Sequence, residues 1–324
     1  MGTNMIDGLT VRVAARHDEA ADICSFELVR ADGRPLPPFS AGAHIDVAVP
    51  GGPTRQYSLC NAPDESHRYR IAVLRDPNSR GGSAGMHDRV KIGDTLTISA
   101  PKNHFPLAHG AKHSLLLAGG IGVTPILCMA ERLARINASF DMHYCTRSRT
   151  RTAFLDPIAR APYAGRVQLH FDDEAAEQRF DIAARLAVPE PGTHLYVCGP
   201  KGFMDAVLTT ARANGWQEAQ LHYEFFSAEA RQTEQDGRFE VQIASSGRVI
   251  VVEKHESVVR ALAKAGIEIE TSCEQGLCGT CATRVLAGEP DHFDHCLTDD
   301  ERAANDQFMP CCSRSKSARL VLDL

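Results

Sequence analysis

The first hundred residues alternate apolar and polar positions with a period of two. LTVRVAARHD, ICSFELVRAD, AHIDVAVPGG, YRIAVLRD and DTLTISAPK are short, rich in Val and Ile, and separated by Gly, Pro, Asp and Asn. Such alternation turns one face of a strand to a core and the other to water, so these runs predict a small antiparallel barrel or sandwich. From about residue 113 the pattern changes. HSLLLAGG, FDMHYCT, VQLHFDD and HLYVCG are apolar runs of strand length. TPILCMAERLARIN instead repeats apolar residues at helical spacing (Ile126, Met129, Leu133, Ile136), and GFMDAVLTTARANG reads as a second helix closed by Gly215. Thr124 is expected to cap the first helix, with Pro125 in its first turn, where a missing N–H costs nothing. Strand and helix in alternation predict a parallel sheet with helices on its faces. Residues 228–237, AEARQTEQDG, have no apolar period and read as a linker. Beyond them, RFEVQIASSGRVIVVEK predicts a hairpin around Ser-Ser-Gly, SVVRALAKAG a short helix ending at Gly266, and ARLVLDL a closing strand.

Composition changes this picture in a few respects. A chain of 324 residues exceeds one typical core, and 43% hydrophobic with 23% charged residues is the make-up of folded domains. The net charge of −6 argues against a nucleic-acid binder, which needs a clustered excess of Lys and Arg. Residues 238–324 hold 10 Lys and Arg against 14 Asp and Glu, so the last quarter carries most of the excess and offers either a solvated surface or a docking face for a basic partner. No leader and no apolar run of membrane length is visible, which leads us to expect a soluble cytoplasmic protein. In that compartment its 11 cysteines are expected to be free, metal-bound or catalytic.

Three of those cysteines stand within nine positions in TSCEQGLCGTCATRV, residues 271–285. Structural zinc sites pair cysteines as two short knuckles, and only one knuckle exists here. The spacing Cys273-x4-Cys278-x2-Cys281 is that of a plant-type [2Fe–2S] loop. Gly276 and Gly279 lie between the ligands, where a tight turn needs a backbone free of side chains. Downstream, Cys296, Cys311 and Cys312 all compete for the fourth position. Cys24, Cys60, Cys128 and Cys145 sit in apolar contexts and read as core thiols.

Upstream, RQYSLCNAP (55–63) precedes VLRDPNSRGGS (73–83). Arg55, Tyr57 and Ser58 are expected to project from one strand face, offering a guanidinium for phosphate, a ring for stacking and a hydroxyl for a ring nitrogen. Gly81, Gly82 and Ser83 offer amides and a hydroxyl to an anion. AGGIGVTP (118–125) lies where a strand passes into a helix, the place a dinucleotide pyrophosphate occupies, although it is not G-x-G-x-x-G. YVCGPKGFMD (196–205) ends a strand at the ligand edge of such a sheet. CTRSRTRTAF sets Arg147, Arg149 and Arg151 after a strand, where an arginine can accept a 2′-phosphate. Each piece alone also occurs as a plain turn, an exposed arginine or a buried thiol.

Together RxYS at 55–58, RGGS at 80–83, GGIGxTP at 119–125, CGP at 198–200, HYEFF at 222–226 and the C-terminal cysteines resemble the phthalate dioxygenase reductase family of the ferredoxin-reductase superfamily, over essentially the whole chain. VLRDPNSRGGSAGMHD looks still more like the reductases of aromatic O-demethylases. The resemblance implies an antiparallel β-barrel flavin domain over residues 1–108, an α/β parallel-sheet nucleotide-binding domain over 109–227, a linker at 228–237 and an α+β (β-grasp) plant-type ferredoxin domain over 238–324. It implies FMN held by Arg55, Gln56, Tyr57, Ser58, Ala72, Val73, Leu74, Gly81, Gly82 and Ser83. NADH would lie on Gly119, Gly120, Thr124, Pro125, Thr146, Arg147, Cys198, Gly199 and Pro200, and the cluster on Cys273, Cys278, Cys281 and Cys311. Ser58 and Cys198 would stand at the hydride-transfer centre, and Phe226, chosen over Phe225, would stack on the flavin ring. The implied function is transfer of electrons from NADH through FMN and [2Fe–2S] to a partner Rieske-type oxygenase. With no coiled coil or dimer helix visible in the pattern, a monomer is expected. The rival readings are a self-sufficient NAD(P)H-dependent ferric or dye reductase and a zinc-stabilised interaction module.

Overall fold

The computed structural model describes residues 8–79, 81–175, 178–226, 237–271, 273, 274, 276, 278–294 and 296–324. Arg80 of the RGGS motif and positions 228–236 of the expected linker lie outside the described residues. The chain divides into two compact units, Met1–Phe226 and Ser227–Leu324.

In the first unit the period-two runs form six strands: β1 (Leu9–Ala20), β2 (Ile23–Arg30), β3 (His44–Ala48), β4 (Thr54–Ser58), β5 (Tyr69–Leu74) and β6 (Thr95–Ile98). They make one antiparallel sheet in the order β4-β3-β6-β1-β2-β5. Val11, Val13, Phe26, Leu28, Ile45, Val47, Ile71 and Ile98 fill its inner face. The two edges are drawn together just beyond β4, where the Cys60 N–H donates to the Arg70 carbonyl of β5 at 2.9 Å, so the sheet curls into a barrel without a complete ladder. A short helix, α1 (Ser83–Arg89), follows the Gly-Gly turn.

The second pattern becomes a five-stranded parallel sheet of β7 (His113–Gly119), β8 (Phe140–Thr146), β9 (Val167–Phe171), β10 (Thr193–Cys198) and β11 (Leu221–Glu224), ordered β11-β10-β7-β8-β9. Its helices are α2 (Val123–Arg135), α3 (Leu155–Arg160), α4 (Ile182–Arg185) and α5 (Lys201–Ala213). Alternate residues of β7 enter opposite cores: Leu116 and Ala118 pack with Ile126 and Met129 of α2, and Leu115 and Leu117 with Met204, Val207 and Leu208 of α5. Burial on both faces explains why this strand reads as a continuous apolar run. The chain leaves β7 towards β8 and β9 and returns on its other side at β10. The crevice at the carboxyl ends of β7 and β10 is therefore the switch point where ligands bind in such sheets.

Two helix expectations need correction. Helix α2 begins at Val123 with Gly122 in the cap position, so Thr124 lies inside the first turn, its hydroxyl donating to the Ile121 carbonyl at 3.1 Å. Ile136 falls just past the last turn and is 51% exposed, because the chain has already left the helical spacing there.

The second unit holds β12 (Phe239–Ile243), β13 (Val249–Val252), β14 (Thr283–Ala287), β15 (Pro290–Asp291), β16 (Gln307–Phe308), β17 (Arg314–Ser315) and β18 (Arg319–Leu322), with α6 (Val258–Lys264) and α7 (Asp299–Ala304). β12 pairs antiparallel with β13, as the hairpin pattern predicts, and parallel with β18. Ser257 caps α6, whose Val258, Ala261 and Leu262 pack on Phe239, Val241, Leu320 and Leu322, a sheet grasping one helix. No described helix is long and apolar enough to cross a membrane.

Candidate functional site

The switch point is built by two backbone loops in direct contact. A Cβ on Gly122 would stand 2.3 Å from the Cys198 carbonyl oxygen, and one on Gly199 would stand 2.9 Å from the Gly119 Cα. Only glycine allows this approach. Gly120 has φ +52° with nothing within 4 Å of where its Cβ would be, so the turn offers an open cradle of bare backbone. Thr124 and Pro125 are buried beneath it, and Gly199 and Pro200 lead into α5.

Cys198 is fully buried, and burial, with the charge of Glu224 added, pushes its thiol well above its ordinary range. Cys198 and Glu224 are register partners on β10 and β11, so their side chains share a face. Glu224 stands within HYEFF but was not among the residues expected from the sequence. Its carboxylate, 17% exposed, accepts a hydrogen bond from the Ser58 hydroxyl at 3.2 Å and lies 3.9 Å from His44 Nδ1. Burial raises it to about 7, partly offset by the Ser58 bond. His44 is held by Gln56, its Nε2 lying 3.1 Å from Gln56 Nε2, and burial drives it down to about 4. An acidic residue between aromatics at the carboxyl end of an edge strand is the signal that could have found Glu224.

The strand period corrects one expectation about the barrel residues. Ser58 and Gln56 share the face of β4 that meets His44 and Glu224, whereas Arg55 and Tyr57 point to the other. On that second face the Tyr57 hydroxyl is buried with no hydrogen-bond partner among the described residues, and Arg55 packs so closely on Gly82 that a Cβ there would stand 2.8 Å from its Cγ. Gly81 has φ +91°, and the Ser83 hydroxyl accepts the Asp76 N–H at 3.1 Å. On β5, Ala72 and Val73 are buried and Leu74 is 37% exposed. A buried orphan hydroxyl, a guanidinium and a glycine turn fit a flavin phosphate and its neighbouring groups.

Of the two aromatics, Phe225 packs into the core beside α5 and edge-on to Tyr223, and Phe226 is exposed. Thr146 is buried, bonded to the Thr152 hydroxyl at 2.7 Å, and Arg147 is exposed. The other two arginines are already engaged: Arg149 lies over Phe171 at 4.6 Å and 3.5 Å from Glu174, and Arg151 stands 3.7 Å from Asp22.

In the second unit Gly276 and Gly279 both have φ +71°, bending the cysteine loop back on itself. No single-ion site of three or more ligating groups forms among the described residues. Instead the thiols contact one another: Cys278 hydrogen-bonds with Cys273, which against the effect of burial lowers it to about 5, Cys281 is pushed up by its hydrogen bond with Cys311 and by burial, and Cys311 also contacts Cys312. The contacts of Cys273 with Cys278 and of Cys281 with Cys311 suit a two-iron cluster, which takes two sulfurs at each iron. Cys312 also reaches this loop, its Sγ 2.4 Å from where a Cβ on Gly276 would stand, in contact with Cys311 and 3.7 Å from the Met309 carbonyl, while Cys296 lies against Asp294 at 3.6 Å.

The family of 2Fe-2S iron-sulfur cluster binding domains matches residues 241–316, and that of dimethylamine monooxygenase subunit DmmA-like N-terminal domains matches residues 99–221. A vanillate O-demethylase oxidoreductase of Pseudomonas putida is 57% identical over 99% of this chain and 100% of its own. Phthalate dioxygenase reductase of Burkholderia cepacia is 41% identical over the full length of both. The solved structure of a phthalate dioxygenase reductase, described as modular for electron transfer from pyridine nucleotides to [2Fe-2S], superposes with a TM-score of 0.78 over 98% of each chain at 41% identity. The chain belongs to the family of oxygenase-system oxidoreductases that includes vanillate O-demethylase oxidoreductase and phthalate dioxygenase reductase.

Proposed function

We propose that this chain takes electrons from NADH and passes them through FMN and a [2Fe–2S] cluster to a separate Rieske-type oxygenase, an aromatic O-demethylase or a ring-hydroxylating dioxygenase. The observation that carries the reading is the meeting of Ser58, Cys198 and Glu224 at the switch point of a nucleotide-binding sheet. FMN, when bound, accepts a hydride's two electrons together and yields them singly. The residues around it have the following roles in this proposal. Arg55 and the Gly81–Ser83 turn hold the phosphate, Tyr57 and residues 72–74 line the ring, and Phe226, unclaimed by the core, stacks on it. Gly119, Gly120 and Gly199 let the dinucleotide approach the backbone. Cys198, kept a neutral thiol, shapes a dry contact without adding charge. Glu224, poised near neutral pH, holds or releases a proton at the oxygen facing the Ser58 hydroxyl. Arg149 and Arg151 are paired with carboxylates that a 2′-phosphate would displace, whereas Arg147 is exposed, so the choice of NADH rests on the family.

Cys273 with Cys278, and Cys281 with Cys311, would each hold one iron. The boundaries 1–108, 109–227 and 238–324, a monomeric state and a cytoplasmic location complete the proposal, and the acidic last quarter is the face offered to the oxygenase. Anaerobic titration with NADH tests it: a flavin band should bleach and then an iron–sulfur band. Flavin reduction with an unchanged cluster spectrum at all times would refute the scheme.

A further inference from the structure

Behind the cysteine loop lies a carboxylate that the proposal above does not use. The Asp294 side chain, between β15 and α7, is fully buried. Its Oδ2 accepts the Leu297 N–H at 2.9 Å and the Cys296 thiol at 3.6 Å. A Cβ on Gly276 would stand 2.9 Å from the Asp294 Cα and 3.1 Å from its Cβ, so the turn between Cys273 and Cys278 rests directly on this residue. Gly276 in turn makes a backbone hydrogen bond to Cys311. The compensation around the carboxylate is partial. His292 Nδ1 stands 3.6 Å from Oδ1, which has no hydrogen-bond partner among the described residues. Arg302 Nη2 is 3.9 Å from Oδ2 and directs its short bond, 2.7 Å, to the Asp294 backbone carbonyl. Arg302 Nη1 is also drawn to within 3.6 Å of the exposed Asp299.

A buried carboxylate without full hydrogen-bonding destabilises a fold, and Asn could fill this position with the same shape. We propose that Asp294 is a positioning residue for the cluster ligands and that its negative charge holds the reduction potential of the cluster down, with Arg302 opposing it. Reduction adds one negative charge to a group already negative, so an adjacent anion disfavours it and an adjacent cation favours it. The inference rests on the cluster reading, which the iron–sulfur spectrum of the parent protein tests first and separately.

The experiment is a mediated redox titration of the full-length holoprotein, followed by electron paramagnetic resonance, for the parent, Asp294→Asn and Arg302→Gln. Asn keeps the acceptor for the Leu297 N–H and removes the charge, placing an amide NH2 where Oδ1 faces His292. Asp294→Asn should raise the equilibrium constant for one-electron uptake roughly tenfold, an upward shift of about 59 mV. Arg302→Gln should shift it downward. A purely structural role would not give opposite signs, so shifts in the same direction, or changes below about threefold in both variants, overturn the proposal. Should Asp294→Asn retain no cluster, Arg302→Gln decides alone: a lowered potential supports the proposal, and an unchanged or raised one refutes it.

Discussion

Replacing Glu224 by glutamine separates its charge from its shape. The amide keeps an acceptor for the Ser58 hydroxyl and nearly the same volume, and it cannot titrate. In the fold burial moves the Glu224 carboxyl from 4.5 to about 7. Each pKa unit is worth about 1.4 kcal/mol, so ionising this group costs ~3 kcal/mol more in the native state than in the unfolded chain. The folded state binds more protons than the unfolded state between those two values. The contribution of Glu224 is therefore fully present below pH 4.5 and lost as the pH rises through 7. The glutamine would be indifferent throughout, so the stability of Glu224→Gln relative to the parent should rise by about 3 kcal/mol from pH 4.5 to 8. Urea denaturation of both proteins in parallel, at matched cofactor loading, reads the difference. The buried histidines titrate in both and largely cancel. A difference that does not vary with pH, or that grows toward acid, would refute the burial argument and with it the idea of Glu224 as a proton-holding group near neutrality.

Three further outcomes follow from the geometry. Gly122→Ala puts a methyl 2.3 Å from the Cys198 carbonyl oxygen and must part the two loops of the switch point. Overpacking of this kind costs about 1–3 kcal/mol, and stopped-flow reduction by NADH should slow by at least about tenfold while flavin content stays normal. Cys311→Ser should strip the cluster and Cys312→Ser should retain it, as iron and sulfide content will show; the reverse result would exchange their roles. His143 and His222 are pushed by burial, and then by their histidine neighbours His170 and His194, to about 4. The stability they contribute is complete above pH 6.5 and lost as the pH falls toward 4. His143→Phe should flatten that acid limb by ~1–3 kcal/mol in a pH series of denaturation curves, and an unchanged limb would show that His143 does not charge on unfolding.

The elements were legible wherever one local period dominated. Val11 and Val13 alternate with exposed Thr10 and Arg12 because that part of β1 has a single buried face, and the run Leu115–Ala118 does not alternate because helices cover both faces of β7. Helix ends were less legible. Thr124 is a good capping residue by type, but the backbone at Gly122, pressed against Cys198, starts the turn earlier. Strand β11 is short, lies at a sheet edge and carries Tyr223 on the surface, so its apolar signal was weak. Glu224 was hidden with it.

The sequence by itself determined the fold class, through its two periods, and the cluster chemistry, through a cysteine spacing that acts within one loop. Local chain geometry carries both. The tertiary structure alone decided which distant groups meet: Ser58 and Glu224 lie 166 positions apart, and Gly276 rests on Asp294 across a separate segment. It also moved the titration of Glu224, His44 and Cys198, because their shifts come chiefly from desolvation, a property of the assembled surroundings that no residue carries in its own side chain.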